Sequence, residues 1–295
     1  MFKTIEDLVL QAESRGLHIH EIMLEQEIES SGKSREVILE AMRARYEVMD
    51  QAIKRGIQGV HSLSGLTGGD AQKMYEYLQG GRYLTDPTLL LATCYAVATN
   101  EVNASMGVVC ATPTAGSSGT LPGVLLALRD RHHFSDEQVI DALFTAGAIG
   151  YVIANNATIS GAAGGCQAEV GSAAAMAAAA AVELAGGTPA QAAQAAAMAL
   201  KNLLGLACDP VAGLVEVPCV KRNAGGAAIA LTAAEMALAG VSSRIPPDEV
   251  VQAMYAIGTM IPEALRETAG GGLAATTTGR AWKKKYAHSG KVVDK

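Results

Sequence analysis

Aromatic side chains are scarce in this 295-residue chain: 4% of it, with one Trp and three Phe. A core of this composition must be packed from Ala, Leu, Val, Met and Gly, which suits helices whose backbones approach closely. Alternation of β-branched residues is also missing. No run is long enough for a sheet, and only residues 215–220 read as a short extended piece. Cys-x-x-Cys does not occur, which argues against zinc-ribbon and thioredoxin-like chemistry. The net charge of -6 supplies no clustered positive face, so no nucleic-acid partner is expected. The single basic run, Lys283-Lys284-Lys285, reads as a solvated tail.

Targeting signals are absent in the same way. Residues 1–10 carry Glu6 and Asp7 and no apolar segment of signal-peptide type. The Ala-rich stretch from Ser172 to Val182 is too short to cross a bilayer and stops at Glu183. A cytoplasmic protein without a membrane partner is expected. Five cysteines, an odd number, argue against a disulfide framework in that setting.

What is present is helical periodicity. Ile5, Leu8, Val9 and Ala12 recur at helical spacing, as do Val37, Met42, Val48, Met49, Ala52 and Ile53 on a segment starting near Ser34 and stopped by Gly56 and Gly59. Ser135 with Gln138, and Thr188 with Pro189 and Gln191, form capping-box patterns. Asp86-Pro87 and Pro246-Pro247-Asp248 open two more helices. The predicted fold is all-α: one multi-helix domain over 1–295 with Gly-rich inter-helix loops. Residues 1–60 form its charged outer layer and 270–295 a flexible tail. Between Asp141 and Glu235 the only charged residues are Glu169, Glu183, Lys201, Asp209, Glu216, Lys221 and Arg222. Charges kept inside so apolar a stretch are paired or functional, because unpaired burial is costly.

The chemistry-bearing residues cluster around three cysteines. Cys166 lies in Gly-Gly-Cys-Gln-Ala-Glu-Val-Gly. Cys208 and Cys219 bracket Cys-Asp-Pro-Val-Ala-Gly-Leu-Val-Glu-Val-Pro-Cys. Each has Gly or Pro within two residues, as a rigid, open ligand loop requires. Three readings follow from the pattern alone. The cysteines could hold an iron–sulfur cubane with one iron left open, bind zinc with Glu169 or Asp209 as fourth ligand, or simply pack as small hydrophobes. Cys94 and Cys110 read as packing residues. Gly-rich loops add anion-binding character. One runs from His61 through Ser62, Ser64 and Gly68 to Asp70. A second runs from Ala111 through Thr112, Thr114, Ser117, Ser118 and Gly119 to Thr120. A third, Ser160 to Gly165, delivers Cys166 to the Ala-rich helix. His132-His133 reads as an exposed turn.

The two cysteine motifs resemble those of the iron–sulfur L-serine dehydratases (L-serine ammonia-lyases). Ala-Thr-Pro-Thr-Ala-Gly-Ser-Ser-Gly and Ser-Leu-Ser-Gly-Leu-Thr-Gly-Gly-Asp-Ala are similar to segments of the same family. The resemblance spans essentially the whole chain, is strongest from Glu101 to Asn223, and matches the catalytic α chain of the two-chain bacterial type. It implies a [4Fe–4S] cluster on Cys166, Cys208 and Cys219, and conversion of L-serine to pyruvate and ammonia without pyridoxal phosphate. Ser62, Ser64, Thr112, Thr114, Ser117, Ser118, Gly119 and Asn223 are then candidates for the substrate pocket. Glu169, Asp209, Lys221 and Asn223 are candidates for orienting the cysteine loops. Lys221 and His61 are the candidate bases. Single-chain members carry an additional domain with a Ser-Ser-Ser-His-type motif that has no match here, which implies a separate β chain. Some also place a terminal cysteine near the cluster, whereas no cysteine follows Cys219.

Competing expectations are an L-cysteine desulfidase-type elimination on the same kind of cluster, or a non-catalytic helical subunit. A pyridoxal-phosphate enzyme would need a Schiff-base lysine and an α/β fold, which this pattern does not offer.

Overall fold

The computed structural model describes residues 1–288. In chain order the helices are α1 (Ile5–Arg15), α2 (Ile19–Ser31), α3 (Arg35–Gly56), α4 (Asp70–Gln79), α5 (Pro87–Ala104), α6 (Thr120–His132) and α7 (Asp136–Asn156). There follow α8 (Gly161–Gly164), α9 (Ser172–Leu184), α10 (Pro189–Lys201), α11 (Cys219–Leu238), α12 (Pro247–Met260) and α13 (Thr277–His288). Among the described residues β-pairing is limited to two isolated bridges, His61 with Gly68 and Cys208 with Arg266. The all-α expectation holds.

Local chemistry explains the boundaries. Ser135 and Thr188 accept hydrogen bonds from the backbone N–H groups of Gln138 and Gln191, whose side chains answer in return. Asp86 caps α5 ahead of Pro87, and Ser34 caps α3. Residues 215–220 form no strand. The chain bends through a cis Val217–Pro218 bond, and Cys219 and Val220 already belong to α11.

The centre of the molecule is α9. Every one of its residues from Ser172 to Leu184 is buried, and α6, α7, α10 and α11 pack around it. A helix apolar on all sides has no solvent face and belongs in a core; its Ala run is what lets four neighbours close on it. By length and composition α7 could cross a membrane, but 67% of its apolar window is buried within the protein, as in a core helix. The outer layer of α1, α2 and α3 turns Ile5, Leu8, Ile19, Leu24 and Ile53 inward and its charges outward. Asp248 on α12 anchors this layer by accepting from the N–H groups of Ile5 (2.8 Å) and Glu6 (3.0 Å).

A polar contact fixes α2 to α9. Buried Glu183 accepts from the N–H groups of Ile19 (2.8 Å) and His20 (3.3 Å), from His20 Nδ1 (2.8 Å) and from the Thr145 hydroxyl (2.5 Å). Burial pulls the His20 pKa down, but the bond and charge of Glu183 outweigh it, leaving His20 raised above 6.5. Burial pushes Glu183 up, while His20 and Thr145 hold it below its ordinary 4.5.

The tail expected over 270–295 is structured where it is described. Residues 272–275 form a 3₁₀ turn, α13 follows, and Tyr286 is buried. Residues 289–295 lie outside the described residues. Lys283, Lys284 and Lys285 are exposed, with Lys285 over the Trp282 ring at 4.5 Å.

Replacing Glu183 by Ala strands His20 and the α2 N-terminus, and should cost about 3–5 kcal/mol in urea denaturation. The contribution of depressed Glu183 is complete above its ordinary 4.5 and is lost in acid. That of raised His20 is complete below its ordinary 6.5 and fades as pH climbs through its folded value. The stability difference between wild type and Glu183→Ala should therefore be greatest between these two values and shrink on either side.

Candidate functional site

The π-helical turn 167–171 joins Cys166 to the N-terminal end of α9. Gln167 is fully buried and locks this turn: its amide donates to the carbonyls of Gly164 (3.0 Å) and Met254 (2.9 Å), and its oxygen accepts from Gly205 N–H (2.9 Å). Cys219 opens α11, and Cys208 sits in the loop between α10 and α11. The backbone of Cys208 is held from the C-terminal side: its N–H donates to Leu265 O and its carbonyl accepts from Glu267 N–H, both at 2.8 Å.

The three thiols converge. Burial raises the Cys208 thiol, and the neighbouring Cys166, Glu169 and Cys219 raise it further. Burial also lifts Cys219 to about 12, with Cys166 and Glu169 adding to the shift and Arg222 opposing it. Burial takes Cys166 to about 11 against the pull of Arg222. Among the described residues no group of three or more His, Cys, Asp and Glu side chains stands close enough to hold a single metal ion. That geometry does not support zinc with Glu169 or Asp209 as fourth ligand. Cys94 is the packing residue the sequence suggested: fully buried, its thiol bonded to Ala71 O at 3.4 Å. Cys110 is half-buried.

Arg222 knits the cysteine loops together, a role that sequence reasoning did not assign to it. It donates to Ala207 O (2.6 Å), pairs with Asp209 (2.8 Å) and bonds the Cys166 thiol. Asp209 in turn accepts from Leu273 N–H at 2.7 Å. Asn223, one turn after Cys219, is buried and fully used. Its oxygen accepts from the N–H groups of Gly119 (3.1 Å) and Thr120 (3.0 Å), and its amide donates to Gly116 O (2.8 Å) and Cys219 O (3.0 Å). It thus clamps the 111–120 loop onto the cysteine-bearing helix. The N–H of Gly119 is spent on this clamp, and a side chain there would meet Ala96 O at 2.2 Å, so this glycine serves the close crossing of α5 and α6.

The hydroxyl loops reach the same place. Thr114 donates to Glu169 at 2.7 Å and shares a hydrogen bond with Ser117 at 3.1 Å. Thr112 donates to Ser118 O at 3.4 Å. The buried hydroxyls of Ser118 and Thr67 and the Asn100 side-chain oxygen have no partner. In the 61–70 loop, Ser62 and Ser64 bond each other at 2.9 Å, and Ser64 donates to buried Glu216 at 2.6 Å. Tyr286 on α13 bonds the Ser64 carbonyl. His61 is exposed at the loop mouth, and Lys221 pairs with Asp70 at 2.5 Å, tying α11 to α4. Among the described residues no hydrogen bond or ion pair joins either one to a cysteine. His132 and His133 form an exposed helix end, as expected.

All three cysteine loops and both hydroxyl loops thus form one network, and the comparisons with known proteins cover all of it. The family described as Serine dehydratase alpha chain matches residues 14–274. The chain belongs to this family. It is 58% identical over 285 residues to a probable L-serine dehydratase, alpha chain, of Bacillus subtilis (strain 168), covering 97% of this chain and 95% of that one. It is 43% identical over 291 residues to the L-serine dehydratase, alpha chain, of Peptoniphilus asaccharolyticus, covering 98% and 100%. An L-serine dehydratase of Streptomyces coelicolor is 39% identical over 281 residues, but there 92% of this chain matches only 60% of the relative. Some family members are thus substantially longer.

Burial of the trio has a measurable consequence. In native, metal-free protein at pH 8, iodoacetamide should label Cys166, Cys208 and Cys219 at least about ten-fold more slowly than in the urea-unfolded chain, as read by peptide mass mapping. Arg222→Met should slow Cys166 further and leave Cys94 unchanged.

Proposed function

We propose that this chain is the catalytic α chain of an L-serine dehydratase, converting L-serine to pyruvate and ammonia in the cytoplasm. In this reading it holds a [4Fe–4S] cluster on Cys166, Cys208 and Cys219, uses no pyridoxal phosphate, and works with a separate β chain. The observation that carries the reading is the convergence of buried Cys166 and Cys208 with half-buried Cys219, from two separate parts of the chain, set against two hydroxyl-rich loops, in a member of this family. Two thiolates on one tetrahedral ion must approach to about 4 Å, given Zn–S bonds of about 2.3 Å. Each thiolate on a cluster has its own iron, so the three sulfurs need not share one ion's coordination sphere.

When bound, the cluster would supply a Lewis acid to assist departure of the serine hydroxyl. The remaining work falls to the protein. Ser118 offers its unpartnered hydroxyl to the substrate carboxylate, and Thr114 and Ser117 complete that wall. Asn223 fixes the wall to the Cys219 helix, so any shift of one moves the other. Arg222 places positive charge beside Cys166 and Cys219 and favours the thiolates that must bind metal. Ser62 and Ser64 organise the facing loop through Glu216. For proton transfer the chain offers Lys221, steadied by Asp70, and His61 at the loop mouth. The longer relatives, of which this chain matches about 60%, support a β chain that supplies what a single polypeptide elsewhere contains.

Anaerobic purification with the β chain, iron and sulfide analysis, and a pyruvate assay on L-serine test this directly. Cys166→Ala, Cys208→Ala and Cys219→Ala should each abolish both iron retention and pyruvate formation. Cys94→Ala should retain both, with a packing loss of about 1 kcal/mol. Air should bleach the brown protein and inactivate it. Colourless, iron-free protein after anaerobic reconstitution would defeat the proposal.

A further inference from the structure

The structure assigns Glu169 as the seat of the substrate's α-ammonium group, and so as the residue that selects a β-hydroxy amino acid over the corresponding hydroxy acid. This assignment rests on the serine-eliminating reading above and names a contact that reading leaves open.

The argument starts from unfilled acceptors. A carboxylate offers about four lone-pair positions. Glu169 has one full-strength donor, the Thr114 hydroxyl at 2.7 Å on Oε1; its other oxygen faces the Cys208 sulfur at 3.8 Å. Among the described residues Glu169 has no ion-pair partner, and Glu267, the other charged carboxylate close enough to act on it, has the same sign. Arg222 is committed to Asp209 and Ala207 O, and Lys221 to Asp70, while Arg266, bridged to Cys208 through the backbone, donates to Ala163 O at 3.4 Å and forms no ion pair with Glu169 among the described residues. A half-buried carboxylate with open acceptors and no ion-pair partner is unfavourable in its charged form until a cation completes it.

Two glycines bring bare backbone close to it. A Cβ on Gly161 would stand 2.5 Å from Glu169 Oε2 and 3.1 Å from Cys208 Sγ, and a Cβ on Gly116 would stand 3.3 Å from Oε1. Both oxygens are therefore flanked by bare backbone where any other residue would crowd them. The fitting ligand group is compact, positively charged and rich in donors, which describes an ammonium and not a guanidinium. Thr114 links Glu169 to the wall that carries the unpartnered Ser118 hydroxyl. A zwitterion can thus place its carboxylate on that wall and its ammonium on Glu169, leaving its hydroxyl arm toward the cysteines.

The test compares L-serine with L-glycerate, which has the same skeleton with a hydroxyl in place of the ammonium. Each is titrated anaerobically into reconstituted wild-type and Glu169→Gln enzyme, with the change in the visible and electron-paramagnetic spectra as the binding signal and pyruvate formation measured in parallel. Glu169→Gln should keep wild-type iron and sulfide, lose L-serine affinity by at least about 30-fold, and bind L-glycerate as well as wild type or better. KM should rise more than kcat falls, and Glu169→Asp should recover part of the loss. The assignment is overturned if Glu169→Gln keeps the wild-type preference for serine over glycerate. It is equally overturned if the variant loses iron, which makes Glu169 a support of the metal site, or if kcat collapses with serine binding intact, which makes it a proton acceptor. A wild-type enzyme unresponsive to L-serine removes the underlying reading and this assignment together, whereas a responsive wild type with an unchanged variant removes this assignment alone.

Discussion

Close packing around α9 is the constraint on which the rest of the molecule depends. From Ala173 to Ala181 this helix is Ala at every position but Met176 and presents a narrow cylinder, so α6, α7, α10 and α11 can pack around it. Burial is thereby spread over many small side chains, and the near absence of aromatics becomes an asset. One end of this helix runs through the π-turn into Cys166 and Glu169. The most deeply buried element of the fold is thus also the mount of the candidate site, which gives the thiol and the carboxylate a rigid base.

Around that mount, polar groups act as fasteners between loops. Asn223 spends its amide on four backbone groups of two segments, and Arg222 bridges a carbonyl, a carboxylate and a thiol. Such side chains are costly to bury unless satisfied, and their satisfaction specifies one arrangement of the loops. Not every group is satisfied: the hydroxyls of Ser118 and Thr67, the Asn100 side-chain oxygen and Arg266 Nε have no partner, and Glu169 takes one strong donor. In the proposed reading, Ser118 and Glu169 are the members of this set that a ligand completes.

The helices were legible in the sequence because their signals are local. Capping at Ser135 and Thr188 needs only residues three positions away, and the Ala-rich character of 172–182 announces its own burial. Loop composition singled out Cys166, Cys208 and Cys219 but left three readings of them open. What escaped depends on distance along the chain. The π-turn after Cys166 gives no periodic signature, residues 215–220 bend where β-branched composition suggested extension, and the Glu216–Ser64 contact joins positions 152 apart. Arg222 was visible as a retained charge, but its partners emerge only when the 207–209 segment folds against Cys166. The segment around 263–275 carries no motif, yet it supplies the backbone partners of Cys208 and the donor to Asp209.

That last contact has a consequence for biosynthesis. Cys208 is fixed at its N–H and its carbonyl by residues 265 and 267, and its neighbour Asp209 by residue 273. A nascent chain emerges from its amino end, so the helical body can gather while this strut is still being made. The middle sulfur acquires its position only once residues 265–273 have been made and have folded back onto its loop. A chain cut after α12 would keep the helical body and leave Cys208 and Asp209 without these backbone partners.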